Sequence, residues 1–458
     1  MDKVRVRMYR QGLGDCFLLS FPGENGHPAH MLIDCGVLKG TEDAVQRMQR
    51  VAQNIIDETG GHLAALVVTH EHWDHVSGFL QAEDIFKPLQ IDEVWLAWTE
   101  NPEDETADHL RQKRVKTAAS LEKAATRLRA TGDQGALRTA TRVGNVLEFF
   151  GAAGRKTTSK GIGWAKDRKR RDMPFLYPGD MRTVPGSKGV RAYVLGPPAN
   201  VKQLKKSDPS ARNSEVYELA GDGGADFGFL AAVESLDTAL QPELQPFDTW
   251  FRVAGEEADA DTFFKDHYSG PDQQWRSIEH EWLGAAGGLA LQLDSDTNNT
   301  SLALAFELSP SGRVLLFPGD AQVGSWLSWH EREWPVKVDG ETRKVTVQDL
   351  LARTVLYKVG HHGSHNATLR EKGLELMTNP DLIALLPVDR DTAGKMKWNM
   401  PFPSLYRRLG ERTRGRILEG DRGEPQRSAV MLGDADWTDF HQSQVKAEDL
   451  WIDCFIEP

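Results

Sequence analysis

Cysteine is scarce in this chain, and long apolar runs are missing. Only three cysteines, Cys16, Cys35 and Cys454, stand among its 458 residues. An odd number without zinc-knuckle spacing speaks against a disulfide-stapled or zinc-ribbon protein, and a reducing cytoplasm is the expected setting. Cys16 and Cys35 fall in apolar, strand-like contexts, where packing is the expected role. No apolar stretch is long enough to span a bilayer, so no membrane partner is expected. The first residues, Met1 to Arg7, alternate charged and apolar side chains and read as a first strand, not as a signal peptide with an apolar centre. Positive charge is also in deficit, with 55 Lys and Arg against 67 Asp and Glu. That balance excludes a protein that coats nucleic acid with its whole surface.

What is present is ordinary for a globular protein: 40% hydrophobic and 27% charged residues, with 13 Trp that call for substantial cores. The length suits about three domain-sized units, or one large domain with insertions. The charge is uneven. Residues 111–191 hold 20 Lys and Arg against 6 Asp and Glu, including the run Lys166 to Arg171. A basic segment inside an acidic chain is either a solvated loop or a place to hold a polyanion.

One run organises the rest: Thr69-His70-Glu71-His72-Trp73-Asp74-His75. It follows an apolar strand pattern over Leu63 to Thr69. Imidazole nitrogen and carboxylate oxygen are the natural ligands of zinc and similar divalent ions. His70 and His72 alternate with period two and can project from one side of an extended strand end. Asp74 and His75 then turn toward a neighbouring position, so one stretch can serve two adjacent metals. Upstream, strands are expected at Val4 to Met8, Cys16 to Phe21 and Met31 to Asp34, and a helix over Thr41 to Ile56. This strand–helix–strand order gives an α/β class with ligands on loops at strand ends. Asp34, closing a buried strand, is expected as a structural acceptor or as an orienter of a metal-bound His.

Two later segments repeat the logic. A strand at Arg313 to Phe317 ends in Pro318-Gly319-Asp320. Another, Thr354 to Val359, ends in Gly360-His361-His362-Gly363-Ser364-His365. Asp320 as a bridging carboxylate and one of the two histidines would complete the shells of a dinuclear site. Further strands are expected at Ile91 to Trp98, Arg191 to Leu195, Leu302 to Leu308, Leu382 to Val388, Ile417-Leu418, Val430 to Leu432 and Leu450 to Ile456. Long helices are expected over Glu105 to Thr131 and Ala136 to Phe150. Between these lie two insertions, about 101–190 (basic) and 201–290 (partly acidic, with Glu256 to Asp261).

The pattern His70-x-His72-x-Asp74-His75, with Asp320 and the later His pair, resembles the metallo-β-lactamase superfamily. Five segments narrow the resemblance to stand-alone relatives of the hydrolase domain of the ComEC DNA-uptake protein. They are Gly12-Leu13-Gly14-Asp15, Leu32-Ile33-Asp34-Cys35-Gly36, Asn298-Asn299-Thr300-Ser301-Leu302, Leu316-Phe317-Pro318-Gly319-Asp320, and Lys358-Val359-Gly360-His361-His362-Gly363-Ser364. The resemblance implies an αββα sandwich, a single domain over residues 1–458 carrying the two insertions. It implies two divalent ions, zinc or manganese, on His70, His72, Asp74, His75, Asp320 and His362. His362 is favoured over His361 because relatives place the ligand directly before the glycine. Asp74 and Asp320 are the expected catalytic groups. Asp34, His361, Ser364, His365 and Asn299 are expected around the ions or against the substrate.

The chain departs from the family pattern in two places, one of them Leu13, where the ComEC-like branch often has a Gln. The mid-chain place that often supplies a third imidazole reads Val194-Leu195-Gly196-Pro197, without a His. The His70/His72 ion is therefore expected to be the weaker. The activity implied is a metal-dependent phosphodiesterase or nuclease, with a phosphodiester or nucleic-acid substrate held by segment 111–191. The same fold also supports ester, lactone, thioester or β-lactam hydrolysis, and a non-enzymatic, metal-stabilised interaction module is the third reading.

Overall fold

Three strands near the N-terminus are buried on both faces, which is why each reads as a nearly continuous apolar run. The structure, a computed structural model, describes residues 3–130, 134–150, 157–170, 173–206, 253, 255–268, 285–338 and 341–458. In β1 (Val4–Tyr9), β2 (Cys16–Phe21) and β3 (Ala29–Cys35), Val4, Val6, Met8, Phe17, Leu19, Met31 and Ile33 face one core. Their neighbours Tyr9, Leu18, Leu32 and Cys35 face another, as the period of two requires. With β4 (His62–Val68) and β5 (Gln90–Leu96), these strands enter a seven-stranded mixed sheet.

The later strands are β6 (Met181–Thr183), β7 (Arg191–Gly196), β8 (Ala303–Glu307), β9 (Val314–Phe317), the hairpin β10 (Glu333–Val338) and β11 (Glu341–Thr346), β12 (Thr354–Lys358), β13 (Ile383–Leu386), β14 (Ile417–Glu419), β15 (Val445–Ala447) and β16 (Trp451–Ile456). The first sheet runs β15-β16-β1-β2-β3-β4-β5 and the second β14-β13-β12-β9-β8-β7-β6. Within them β3-β4-β5 and β9-β12-β13-β14 pair in parallel, and the other neighbours pair antiparallel. The class is α/β with two mixed sheets.

One core is shared by the facing sheets, where Phe17 meets Phe317 edge-on at 5.5 Å. The first sheet's other face packs on α1 (Ala44–Thr59), α2 (Trp73–Gln81), α3 (Glu83–Phe86) and α6 (Thr158–Lys166). The second sheet's other face packs on residues such as Trp326 and Trp329 of the helix Val323–Trp329. Helix α1 begins later than the sequence suggests and ends at Gly60, whose φ of 61° suits a glycine stop.

One expected strand is corrected. Val430 to Leu432 forms no ladder, although Val430 and Leu432 are buried and Met431 is exposed. The Arg427 guanidinium donates to the carbonyls of Val430 and Leu432, each at 3.0 Å, and so takes the place of a neighbouring strand.

The chain divides into two compact units: residues 1–111, 148–221 and 295–458, and residues 112–147 with 222–294. Both seven-stranded sheets belong to the first. The second is helical among its described residues, with most of α4 (Glu105–Ala130), α5 (Gln134–Leu147) and short helices at Gly255–Ala260 and Thr262–His267. Most of the expected 201–290 insertion lies outside the described residues, as do 151–156 and 171–172. Among the described residues no helix is long and apolar enough to cross a membrane.

Candidate metal centre

The centre is built at the C-terminal ends of parallel strands, the usual place for ligand sites in α/β sheets. Strand β4 ends at Val68, and His72, still extended, is the last residue before α2. Asp74 and His75 occupy the first turn of α2, where a carboxylate also complements the helix dipole. Two glycines let that turn sit close to the sheet. A Cβ at Gly36 would stand 2.3 Å from the Asp74 carbonyl carbon, and one at Gly14 would stand 2.7 Å from its oxygen. Beyond β9, Gly319 adopts φ 59° and leads to Asp320, whose N–H donates to Ser301 Oγ at 3.0 Å. Beyond β12, His361 and His362 both take left-handed backbone conformations, with φ of 42° and 51°. Non-glycine residues rarely do so unless their surroundings hold them. Here the His361 N–H donates to Asp320 Oδ1 at 3.1 Å, and His362 Nδ1 lies 2.6 Å from Pro387 O, to which it donates.

These loops bring Asp74, His75, Asp320 and His362 together, with one donor atom from each lying within 4.8 Å of all the others. His362 Nε2 lies 3.0 Å from Asp74 Oδ2, and His75 Nε2 lies 3.1 Å from Asp320 Oδ2 and 3.7 Å from Asp74 Oδ2. A tetrahedral zinc with bonds of about 2.0–2.1 Å has ligand–ligand edges of about 3.3–3.4 Å, so the spacing fits a metal. All four side chains are at most 1% exposed. Asp74 Oδ1, Asp15 Oδ1 and His361 Nδ1 are buried with no hydrogen-bond partner. Unpartnered buried carboxylate oxygens are costly, and a cation among them removes that cost.

The electrostatics follow from this crowding. Burial alone would lower the His75 pKa, but Asp320, Asp74, Asp34 and Asp15 outweigh it and raise it well above the imidazole range. Burial would raise Asp320, yet Lys358 and His75 hold it well below the ordinary carboxylate range. Asp74 is lowered too, with His75 and His362 overcoming its burial. His72 is pushed down to about 3 and His361 to about 4, burial being the main cause for both. Neutral imidazole is the form that binds metal.

Asp34 is a buried acceptor between Thr69 and His75. It accepts from the Thr69 N–H at 2.8 Å and the Thr69 hydroxyl at 2.7 Å, and lies 2.8 Å from His75 Nδ1. Two charged residues of the network, Asp15 and Lys358, were not singled out as site residues by sequence reasoning, although both stand in the motifs quoted above. Lys358 Nζ donates to Gly319 O at 2.9 Å and Asp320 Oδ1 at 3.1 Å, and pairs with Asp15. A lysine closing the apolar strand Thr354–Lys358 was the available signal.

The other named residues are placed differently. His70 Nε2 and His72 Nδ1 lie 3.0 Å apart, and His70 Nδ1 lies 3.2 Å from Ser301 Oγ. The His72 ring packs against Phe149 and Phe150. Asn299 is fully buried and ties the Gln322 N–H to the Lys206 carbonyl, at 2.9 and 3.2 Å. Ser364 bonds Asn366 within its turn, and the His365 ring lies against Phe402. Glu71, inside the His run, accepts from Thr158 and Ser159 of α6. Of the basic run, Lys166 pairs with Glu100, and Arg168 lies over the Trp164 ring. Compared with known proteins, the chain matches no family model, no curated protein and no solved structure.

Proposed function

We propose that the chain is a metal-dependent hydrolase with a metallo-β-lactamase-type αββα sandwich, and that its substrate is a phosphodiester. The observation that carries the reading is the buried quartet Asp74, His75, Asp320 and His362, whose donor atoms converge at metal-ligand spacing. A closed structural zinc site needs no unpartnered acceptors around it, whereas here Asp74 Oδ1 and His361 Nδ1 remain open. Zinc or manganese held by the quartet would supply Lewis acidity toward a phosphoryl oxygen and lower the pKa of water. The quartet is the principal position, and the resemblance adds a weaker one at His70 and His72.

The chain's own groups have distinct parts. Asp74 is turned to His362 through Oδ2, which leaves Oδ1 to take the proton of the attacking water. Asp34 holds the His75 ring through Nδ1, so that Nε2 faces the quartet. His361 Nδ1 is available to a substrate oxygen. The phosphodiester preference, and a nuclease in particular, rests on the motif resemblance and on the basic segment 111–191, which would attract a polyanion.

The test is a cleavage panel with zinc or manganese added: a bis-aryl phosphodiester, and single- and double-stranded DNA and RNA. Wild type is expected to cleave at least one, and Asp74→Asn to lose at least about 100-fold, the scale of a missing acid–base group. Cleavage of lactones or thioesters with none of phosphodiesters would reverse the substrate assignment. A steep fall in rate with salt would mark a nuclease against a small-molecule phosphodiesterase.

A further inference from the structure

We infer that the centre is built for one divalent ion, and that Lys358 supplies, as a fixed ammonium, the second positive charge that a dinuclear centre takes from another metal. The inference rests on the metal-dependent reading above and departs from the two-ion expectation.

The first observation concerns Lys358 itself. It is 1% exposed, and its ammonium meets three acceptors: the Asp15 carboxylate, Asp320 Oδ1 and Gly319 O. An ammonium has three protons, so every donor is used and the group is held in place. Asp320 is then committed on one side. Its Oδ1 accepts from Lys358 Nζ and from the His361 N–H, and only Oδ2 faces His75 Nε2. The oxygen that would reach toward another ion is already bound to a resident cation. Lys358 also offsets one of four buried carboxylates, Asp15, Asp34, Asp74 and Asp320, that would otherwise crowd together uncompensated.

The second observation concerns the places where another ion would sit. Asp15, Asp34 and His75 also converge within 4.8 Å, but Asp15 pairs with Lys358, and Asp34 is taken up by Thr69 and His75 Nδ1. That leaves the His70 and His72 pair. Among the described residues, no group of three or more His, Cys, Asp or Glu donors within 4.8 Å includes His70 or His72. Their facing nitrogens lie 3.0 Å apart, a spacing two ligands of one ion also show, so the missing third ligand is what argues against an ion there. The His72 ring is walled by Phe150, edge-on with ring centroids 4.9 Å apart, and by Phe149 at 5.6 Å. Apolar rings thus line the His72 side of the pair. His70 and His72 are therefore a hydrogen-bonded pair beside the centre, and Lys358 is a positioning residue that presents a single Asp320 oxygen to it.

The deciding measurement is metal content. Purified protein is saturated with zinc or, separately, manganese, desalted, and counted by elemental analysis and native mass spectrometry. Wild type is expected to hold one ion per chain, and the double variant His70→Ala/His72→Ala also one. Lys358→Met, which leaves Asp15 and Asp320 with no cation between them, is expected to take up a second ion, while Lys358→Arg stays at one. Two ions in wild type, one of them lost in the histidine double variant, would overturn the inference and leave the metal-dependent reading standing. Lys358→Met remaining at one would overturn the role given to Lys358. No ion in wild type would sink both readings.

Discussion

At the scale of single residues, Asp34 shows how a carboxylate outside the quartet governs what the quartet does. Its Oδ1 accepts from the Thr69 amide, and its Oδ2 serves the Thr69 hydroxyl and His75 Nδ1. With Nδ1 held as a donor, Nε2 faces Asp320 and is the nitrogen that would give up its proton to a metal. In Asp34→Asn the amide oxygen still accepts from Thr69, but an amide placed so cannot also accept from His75 Nδ1. Nδ1 would then be the unprotonated nitrogen, and Nε2 would keep its proton against a metal. Metal affinity is expected to fall roughly 10–100-fold, and folding stability by about 1–3 kcal/mol, since a buried charged acceptor is replaced. Chelator competition and urea denaturation, run on the same preparations, check the two parts separately. Equal metal affinity in variant and wild type would remove Asp34 from this role.

At the scale of elements, the centre depends on how closely α2 sits against the end of β3. Gly36 follows β3 directly, and a Cβ there would meet the Asp74 carbonyl carbon at 2.3 Å and the His75 nitrogen at 2.5 Å. Those atoms are backbone, so no side chain can swing away to make room. Gly36→Ala is expected to cost about 1–3 kcal/mol by overpacking and to push the first turn of α2 off the quartet. Thermal unfolding and metal titration of the variant check this; a variant that unfolds and binds metal like wild type would show that α2 tolerates the shift. On its other side α2 is fitted to α6, where a Cβ at Gly161 would stand 2.6 Å from a Val76 methyl carbon. Glu71 secures the same contact through Thr158 and Ser159. One carboxylate of the His run is thus spent on packing, while Asp74 turns inward.

At the scale of the first compact unit, the quartet draws on both sheets. Asp74 and His75 follow β4 of one, and Asp320 and His362 follow β9 and β12 of the other. A cation held by all four would cross-link the two sheets, so binding and global unfolding would be linked. Free metal at 100 times its dissociation constant is expected to add about 2.7 kcal/mol. The melting temperature should rise with zinc or manganese, fall back with a chelator, and respond much less in Asp74→Asn. Differential scanning calorimetry across a metal series checks this, and an unshifted wild-type transition would show that the quartet does not bind metal in the folded state.

The sequence by itself determined the strands that carry the centre and most of its ligand candidates. Apolar runs such as Cys16 to Phe21 and Leu63 to Val68 report burial on both faces, and burial follows from the local period of side chains. His70 to His75 could be read as a ligand run because the chemistry lies within six consecutive residues. Val430 to Leu432 misled for the same reason: its alternation reports burial correctly, yet Arg427 satisfies the backbone where a strand was expected. Only the tertiary structure decided which donors meet. His75 faces Asp320 across 245 positions of chain, and His362 faces Asp74 across 288. It placed His362 rather than His361 in the quartet, enclosed His72 with Phe149 and Phe150, and set Lys358 between Asp15 and Asp320. A ligand type is a property of one residue. A candidate metal site is a set of distances between residues far apart in the chain, set here by the packing of two sheets.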